Sequence, residues 1–385
     1  MTTATKERKT KTSGISLSAA TLKAALNAVS AAVPTRGTKP ILQSVLLKDG
    51  VLTGSDGEIR IDVVMEDAPP GCDFLLPEDR FRAIVNSCTA DEITLTPADN
   101  CVVITAGRGK WTLPTESTAE YPAWEPAGVK EVVRLPADQF VRAVRGSVFA
   151  TDNESSRYAL GAVLVEVRGE NVHLVGTDGR RLASVQCEHD QAVDDRREPD
   201  HKGEKVEPPL LVPARVMSIL ARLAAHAGDD AVQLEATGKE LIATVGNATV
   251  TALLLDGRYP RWRDTVPERD AKATTVDRAA LHAATRAAAI CASEESKGVT
   301  FTFSAEGILL QGKSSEKGES VVTCDVIEAG DKASVKLDPA FVTEWLNGID
   351  SEADPNVEVE VVDAQSAVIL RCGDNTGVIM PMADD

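Results

Sequence analysis

Two acidic turns are the first place to look for chemistry in this chain: Thr177-Asp178-Gly179 and Ser55-Asp56-Gly57. A carboxylate on a tight turn could hold a metal ion for phosphoester hydrolysis. Asp-Gly is also what a strand-to-strand turn favours, and its presence at the same place in two related segments points to architecture. The histidines, His173, His189, His201, His226 and His282, show no HExxH or other ligand spacing. The cysteines, Cys72, Cys88, Cys101, Cys187, Cys291, Cys324 and Cys372, are scattered without a CxxC pair. They read as reduced, mostly buried thiols rather than a zinc or redox site. There is no P-loop and no GxSxG. The expectation is a non-enzyme with no catalytic residue, metal or cofactor.

What the residues can do is bind. The chain ends Val378-Ile379-Met380-Pro381-Met382 before Ala383-Asp384-Asp385. Methionines adapt to several ligands, and an apolar pocket with a few polar groups anchors a Leu or Phe side chain. The second candidate chemistry is electrostatic. A formal charge of −18 argues against a generic nucleic-acid binder, but the helix-like segments differ from the average. They carry Lys23, Arg80, Arg82, Arg142, Arg145, Arg215, Arg222, Arg278 and Arg286. Their acids, Glu78, Asp79, Asp138 and Asp277, sit at the starts, where caps and the helix dipole favour carboxylates. The remaining acids collect in strands and loops such as 190–204 and 352–363. A basic helical layer inside an acidic shell binds a polyanion on one surface and repels it elsewhere. Charge alone leaves open that these arginines simply suit a solvated helix face.

The elements that must position these residues come as a threefold repeat. Each repeat opens with a helix-like stretch (Leu22–Val29, Phe140–Val148, Leu281–Ile290). Strands follow, then a turn at Gly54–Gly57, Gly176–Gly179 or Gly312–Ser315. A second helix in each starts at or beside proline: Pro77, Pro213 and Pro339. Period-two strands between the helices indicate antiparallel sheet with one buried face, so the fold class is α+β. The expected organisation is a disordered tail at 1–14 and repeats at 15–130, 131–268 and 269–385. The charged stretch 194–209 is expected to be an exposed loop. The first residues lack the apolar core of a signal peptide. No apolar run approaches the ~20 residues of a membrane span, so a cytoplasmic protein is expected.

Four motifs, in order along this repeat, give it a resemblance. They are Ser156–Gly161, Gly176–Ala183, Asp256–Pro260 and the terminal Val378–Met382. Together they resemble the bacterial sliding clamp, the β subunit of DNA polymerase III, over about residues 15–385. The resemblance implies a head-to-tail homodimeric ring, with helices lining a channel for double-stranded DNA and sheets forming the outer wall. It implies DNA contacts at Arg36, Arg142, Arg145, Arg157, Arg215, Arg222 and Arg286. It implies a peptide groove at Leu160, Thr177, Gly179, Arg181, Leu182, Pro260, Val378, Met380, Pro381 and Met382. It implies a dimer interface at Arg108, Trp111, Leu113, Ile290 and Cys291. The implied partners are the DNA polymerase III alpha subunit, the clamp loader and other replication and repair proteins carrying a clamp-binding motif. This chain departs from the family pattern with acids at Asp79, Asp152, Glu154, Asp264 and Asp384. The departures near Glu154 and Asp264 are the best support for the alternative, a clamp-like scaffold that does not encircle DNA.

Overall fold

Each helix of this chain follows a strand directly or after one residue, and the residue before it is a proline or a side chain that accepts from the first turn. The computed structural model describes residues 14–383 except 38, 70–72, 125–127, 129, 153–158, 189–197, 200–204, 207–209, 229, 267–270, 293–297 and 351–354. The helices are α1 (Ala19–Val29), α2 (Glu78–Ser87), α3 (Ala137–Arg145), α4 (Ala214–Ala224), α5 (Arg278–Ala289) and α6 (Pro339–Gly348). The Ser18 hydroxyl accepts from Thr21 N at 3.4 Å to cap α1, and Asp277 accepts from Ala280 N at 2.8 Å to cap α5. Pro77, Pro136 and Pro213 are the last strand residues before α2, α3 and α4. They stand one position outside the helices that their rings help to start.

Helical spacing then selects what is buried. Leu22, Ala25, Leu26 and Val29 form the inner stripe of α1, and Val216, Met217, Ile219 and Leu220 that of α4. Each fully buried Leu or Phe contributes about 1.5–3 kcal/mol by leaving water. The helices pack in pairs, α1 with α2, α3 with α4 and α5 with α6. Two helices per repeat follow the expectation, although α1, α3 and α5 begin three residues earlier than the helix-like stretches from Leu22, Phe140 and Leu281.

The chain forms two compact units, residues 1–129 with 240–253, and residues 130–239 with 254–385. In the first, Ile15–Ser18, Glu92–Ala98, Cys101–Ala106 and Gly109–Pro114 make one antiparallel sheet. A second sheet runs Phe74–Pro77, Ser44–Lys48, Val51–Ser55, Ile59–Val64, Ala248–Leu253, Glu240–Val245. Within this unit, Ala248–Leu253 and Glu240–Val245 come from the middle repeat.

The same extension recurs in the second unit. Ala162–Arg168, Asn171–Thr177 and Arg181–Glu188 continue into Asn375–Ile379, Val368–Cys372, Asn356–Glu360 and Thr274–Asp277 of the third repeat. A separate sheet joins Gly318–Cys324, Gly307–Ser314, Val299–Ser304 and Ala333–Leu337. Hydrogen-bonded ladders thus run through repeat junctions, and the compact units do not coincide with the repeats read in sequence.

The first glycine of each segment expected to be a turn lies on a strand that leads into the turn, which in the third repeat is at 315–317. Each of these glycines has a steric cause. A Cβ on Gly54 would lie 2.6 Å from Val29 O, on Gly176 2.1 Å from Ser147 O, and on Gly312 2.3 Å from Ala288 O. Each of those carbonyls lies at or just past the end of α1, α3 or α5. The strand therefore crosses the helix end too closely for any side chain. Asp56 and Asp178 hold the turns that follow: Asp56 Oδ1 accepts from Glu58 N and Ile59 N, and Asp178 Oδ1 from Arg180 N and Arg181 N. Both carboxylates are occupied by their own backbones. No helix among the described residues is long and apolar enough to cross a membrane.

Candidate DNA-facing helices and peptide groove

The outward faces of the helices carry the basic residues. Lys23 on α1, Arg80 and Arg82 on α2, Arg142 and Arg145 on α3, Arg215 and Arg222 on α4, and Arg286 on α5 are exposed. The exposed acids on these faces are Asp79, Asp138 and Glu344. Arg36 is also exposed, in the segment after α1. Arg157 and Glu154 lie outside the described residues, as do Asp384 and most of the loop 194–209. Arg142 keeps a long bond to Asp138, 3.3 Å, across one helical turn, a surface pair worth little by itself. Arg145 is more committed. Its Nε and Nη2 donate to the Asn347 carbonyl at 3.2 and 2.9 Å, at the C-terminal end of α6. Arg278 makes the same kind of bond, to the carbonyls of Leu346 and Ile349. Helix-end carbonyls lack intrahelical donors and attract cations. These two arginines therefore tie elements together, a role that their helical spacing did not disclose.

The groove residues divide by strand alternation. Arg181 pairs with Ile379 and Leu182 with Val378 across one antiparallel ladder. Leu182 and Val378 are 5% and 3% exposed and share an apolar cluster with Leu164, Val175, Leu211, Trp262 and Ile369. Leu160 is buried too, and Pro260, Pro381 and Met382 are half-buried. Met380, 47% exposed, follows directly, with its N–H donating to Arg180 O at 2.9 Å. Met382 N donates to Lys336 O at 2.8 Å, pinning the chain end against the third repeat.

The other face of that ladder belongs to a different core, with Ala183 and Ile379 against Trp345 and Leu346 of α6. Arg181 points to this side. Its Nε bonds Asp178 Oδ2 at 3.1 Å, its Nη2 donates to Phe149 O at 2.8 Å, and its Nη1 donates to Glu344. Its guanidinium stacks over Phe341 at 4.4 Å and Phe149 at 5.5 Å. Thr177 is likewise internal: its hydroxyl donates to Arg181 O at 2.6 Å and accepts from Gly179 N. The two chemistries expected at one site are therefore split between floor and frame.

Trp262 and Tyr259 were not among the expected groove residues. Their signal was present in the Arg258-Tyr259-Pro260-Arg261-Trp262 motif. Tyr259 packs against the cluster, donates to Val175 O at 2.8 Å, and has its phenol pKa raised by burial. Trp262 lies 5.5 Å from the His173 ring, with Arg263 over its face at 4.3 Å. Arg263 in turn bonds Glu166 at 2.7 Å. Burial first, then Arg263 and Arg168, lowers the His173 pKa to about 4. The acidic departure Asp264 is exposed, two residues after Trp262 in sequence.

Repeat one carries no second copy of this floor. At the ladder position of Leu182 and Val378 it has Arg60 opposite Thr251. Arg60 pairs with Asp62 at 2.7 Å, and Asp62 accepts from Thr53. A charged network cannot seat an apolar side chain without leaving its own groups unpaired.

Gly109–Pro114 in the first unit and Gly318–Cys324 in the second each stand at one edge of a four-stranded sheet, with Ile15–Ser18 and Ala333–Leu337 at the opposite edges. Arg108 is exposed at the turn into the first of these edges. The half-buried Trp111 ring lies over Gly109, where a Cβ would come within 2.2 Å of it. Leu113 is 7% exposed, so its side chain is committed to its own sheet and leaves only backbone at that edge. Ile290 is 72% and Val321 59% exposed, beside a half-buried Cys291. The strand Gly318–Cys324 is tied to α5 by the Ser320 hydroxyl donating to Ala288 O at 2.6 Å, and none of its residues was among those expected at an interface.

Comparison with known proteins agrees with this architecture. The N-terminal, central and C-terminal domains of the DNA polymerase III beta subunit match residues 14–125, 134–261 and 263–383. The beta sliding clamp of Pseudomonas aeruginosa is 26% identical over 367 residues, covering 93% of this chain and 96% of that protein. That of Escherichia coli strain K12 is 26% identical over 369 residues, with 93% and 96% covered. A crystal structure of the DNA polymerase sliding clamp from Pseudomonas aeruginosa superposes with a TM-score of 0.85 at 24% identity, covering 96% of this chain and all of that one. The beta subunit from Thermotoga maritima gives 0.85 at 20% identity, with 97% of this chain covered. The chain belongs to the DNA polymerase III beta subunit family, the sliding clamps, which are non-catalytic processivity factors.

Proposed function

We propose that two copies of this chain close head to tail into a ring around duplex DNA, with the six helices toward the duplex. The observation that carries the reading is the charge separation. Exposed helix faces are net basic, while the whole chain is at −18. A sliding ring should touch phosphates through Arg and Lys without reading bases, and an acidic exterior keeps DNA from adhering outside. Arg36, Arg142, Arg215, Arg222 and Arg286 are the contacts, with Arg157 as a further candidate and Arg145 divided between DNA and α6. The ring closes where the Gly109–Pro114 edge of one copy meets the Gly318–Cys324 edge of the other, with Trp111, Ile290 and Val321 at its apolar centre. The Leu182–Val378 floor, with Met380 beside it, receives short peptides of the Gln-Leu-x-Leu-Phe type from the DNA polymerase III alpha subunit, the clamp loader and repair proteins in the cytoplasm. A peptide site this small gives micromolar affinity, about −8 kcal/mol.

The test is retention. Loaded onto a closed circular duplex, the protein should stay through gel filtration and be lost when the circle is cut. Equal retention on cut and closed circles rejects encirclement and favours a scaffold.

A further inference from the structure

We infer that Arg181 is a positioning residue for the peptide groove: it clasps the middle repeat to α6 of the third and so holds the Leu182–Val378 floor in register, without touching the peptide. The inference rests on the groove reading above.

Three observations carry it. First, strand alternation puts Arg181 and Leu182 on opposite faces of one ladder. A peptide lying on the Leu182–Val378 face is therefore separated from the guanidinium by the sheet. Second, the guanidinium has no charge to spare. It is bonded to Asp178 and Glu344, stacked on Phe149 and Phe341, and its side chain is 12% exposed. A planar fork satisfied on several edges is a fastener of fixed geometry. Third, what it fastens spans the repeat junction. Asp178 and Phe149 belong to the middle repeat, Glu344 and Phe341 to α6. The junction is tight there, since a Cβ on Gly348 would come within 2.8 Å of the Phe149 ring. The pair Arg181–Ile379 is the first of the ladder, and Leu182–Val378 is the next. Slack at the clasp reaches the groove floor one residue later.

A cycle of variants tests this with a labelled peptide of the Gln-Leu-x-Leu-Phe type, read by fluorescence anisotropy. Glu344→Ala should weaken binding roughly tenfold, about 1.4 kcal/mol, although Glu344 lies on the helix side of the sheet. Glu344→Gln, which keeps an acceptor, should bind like the parent. Arg181→Met should lose affinity, and the Arg181→Met/Glu344→Ala double variant should lose no more, because the two residues act through one clasp. The thermal midpoint of Glu344→Ala should stay near the parent's, since the carboxylate is half exposed; a merely structural role would move midpoint and affinity together. Wild-type affinity in Glu344→Ala, or additive losses in the double variant, overturns the inference and leaves direct contact by Arg181. If Arg181→Met does not fold, the Glu344→Ala and Glu344→Gln pair still decides. Absence of peptide binding by the parent chain rejects the groove itself, and this inference with it.

Discussion

Single residues carry constraints that can be tested one at a time. Gly176 crosses the end of α3 with 2.1 Å between a would-be Cβ and Ser147 O. Gly176→Ala should cost about 1–3 kcal/mol by overpacking, seen as a lower denaturant midpoint with an unchanged slope. No shift would mean that the crossing relaxes freely. His173 makes a prediction about pH. Its pKa is lowered from 6.5 to about 4 by burial and then by Arg263 and Arg168. In the unfolded chain the imidazole titrates near 6.5, so between these values acid protonates the unfolded state and not the folded one. Stability from this group is complete above about pH 6.5, falls as pH drops toward about 4, and falls no further below that. His173→Gln should flatten the midpoint-versus-pH curve across that window; an unchanged slope there would assign the effect to other groups. The sequence revealed the glycine by its repetition, and the histidine not at all. Its burial depends on Trp262 and Arg263, some 90 residues later, and no local pattern encodes such a contact.

Elements were legible wherever one face is buried. The stripes of α1 to α6 and the alternating strands are written in period, because burial selects every third or fourth residue in a helix and every second in a strand. What stayed hidden is pairing across repeat junctions. The strand Ala248–Leu253 reads as part of the middle repeat but pairs with Ile59–Val64 of the first. Register between distant segments is fixed by packing rather than by local propensity. The same rule explains why Arg181 and Leu182, adjacent in one motif, serve different faces. Open edges are the elements with a consequence for assembly. Trp111→Asp and Ile290→Asp should each give a folded monomer by sedimentation, whereas Leu113→Ala should chiefly weaken its own sheet, by about 2–5 kcal/mol. A Trp111→Asp protein that stays dimeric would reject the edge-to-edge assignment.

For the whole molecule, function follows from where charge is placed more than from how much there is. A chain at −18 should avoid DNA, yet exposed Arg215 and Arg222 lie on one helix and Arg142 and Arg145 on its packing partner. The acids of the same layer are few, and Asp138 is spent on Arg142. A duplex held by topology needs only weak, non-directional contacts, so affinity for open linear DNA should be low and steep in salt. Each phosphate neutralised contributes a slope of about −0.9 in log K against log salt, from released counterions. Arg215→Glu/Arg222→Glu should therefore make that slope shallower by roughly 2 units, equally for duplexes of unrelated sequence, because no base is read. The dimer should persist, since α4 carries no edge strand. The measurement is a salt titration of fluorescent linear duplex with parent and variant. A slope that does not change would remove α4 from the DNA-facing layer, and a change confined to one sequence would show base contacts that a freely sliding ring cannot have.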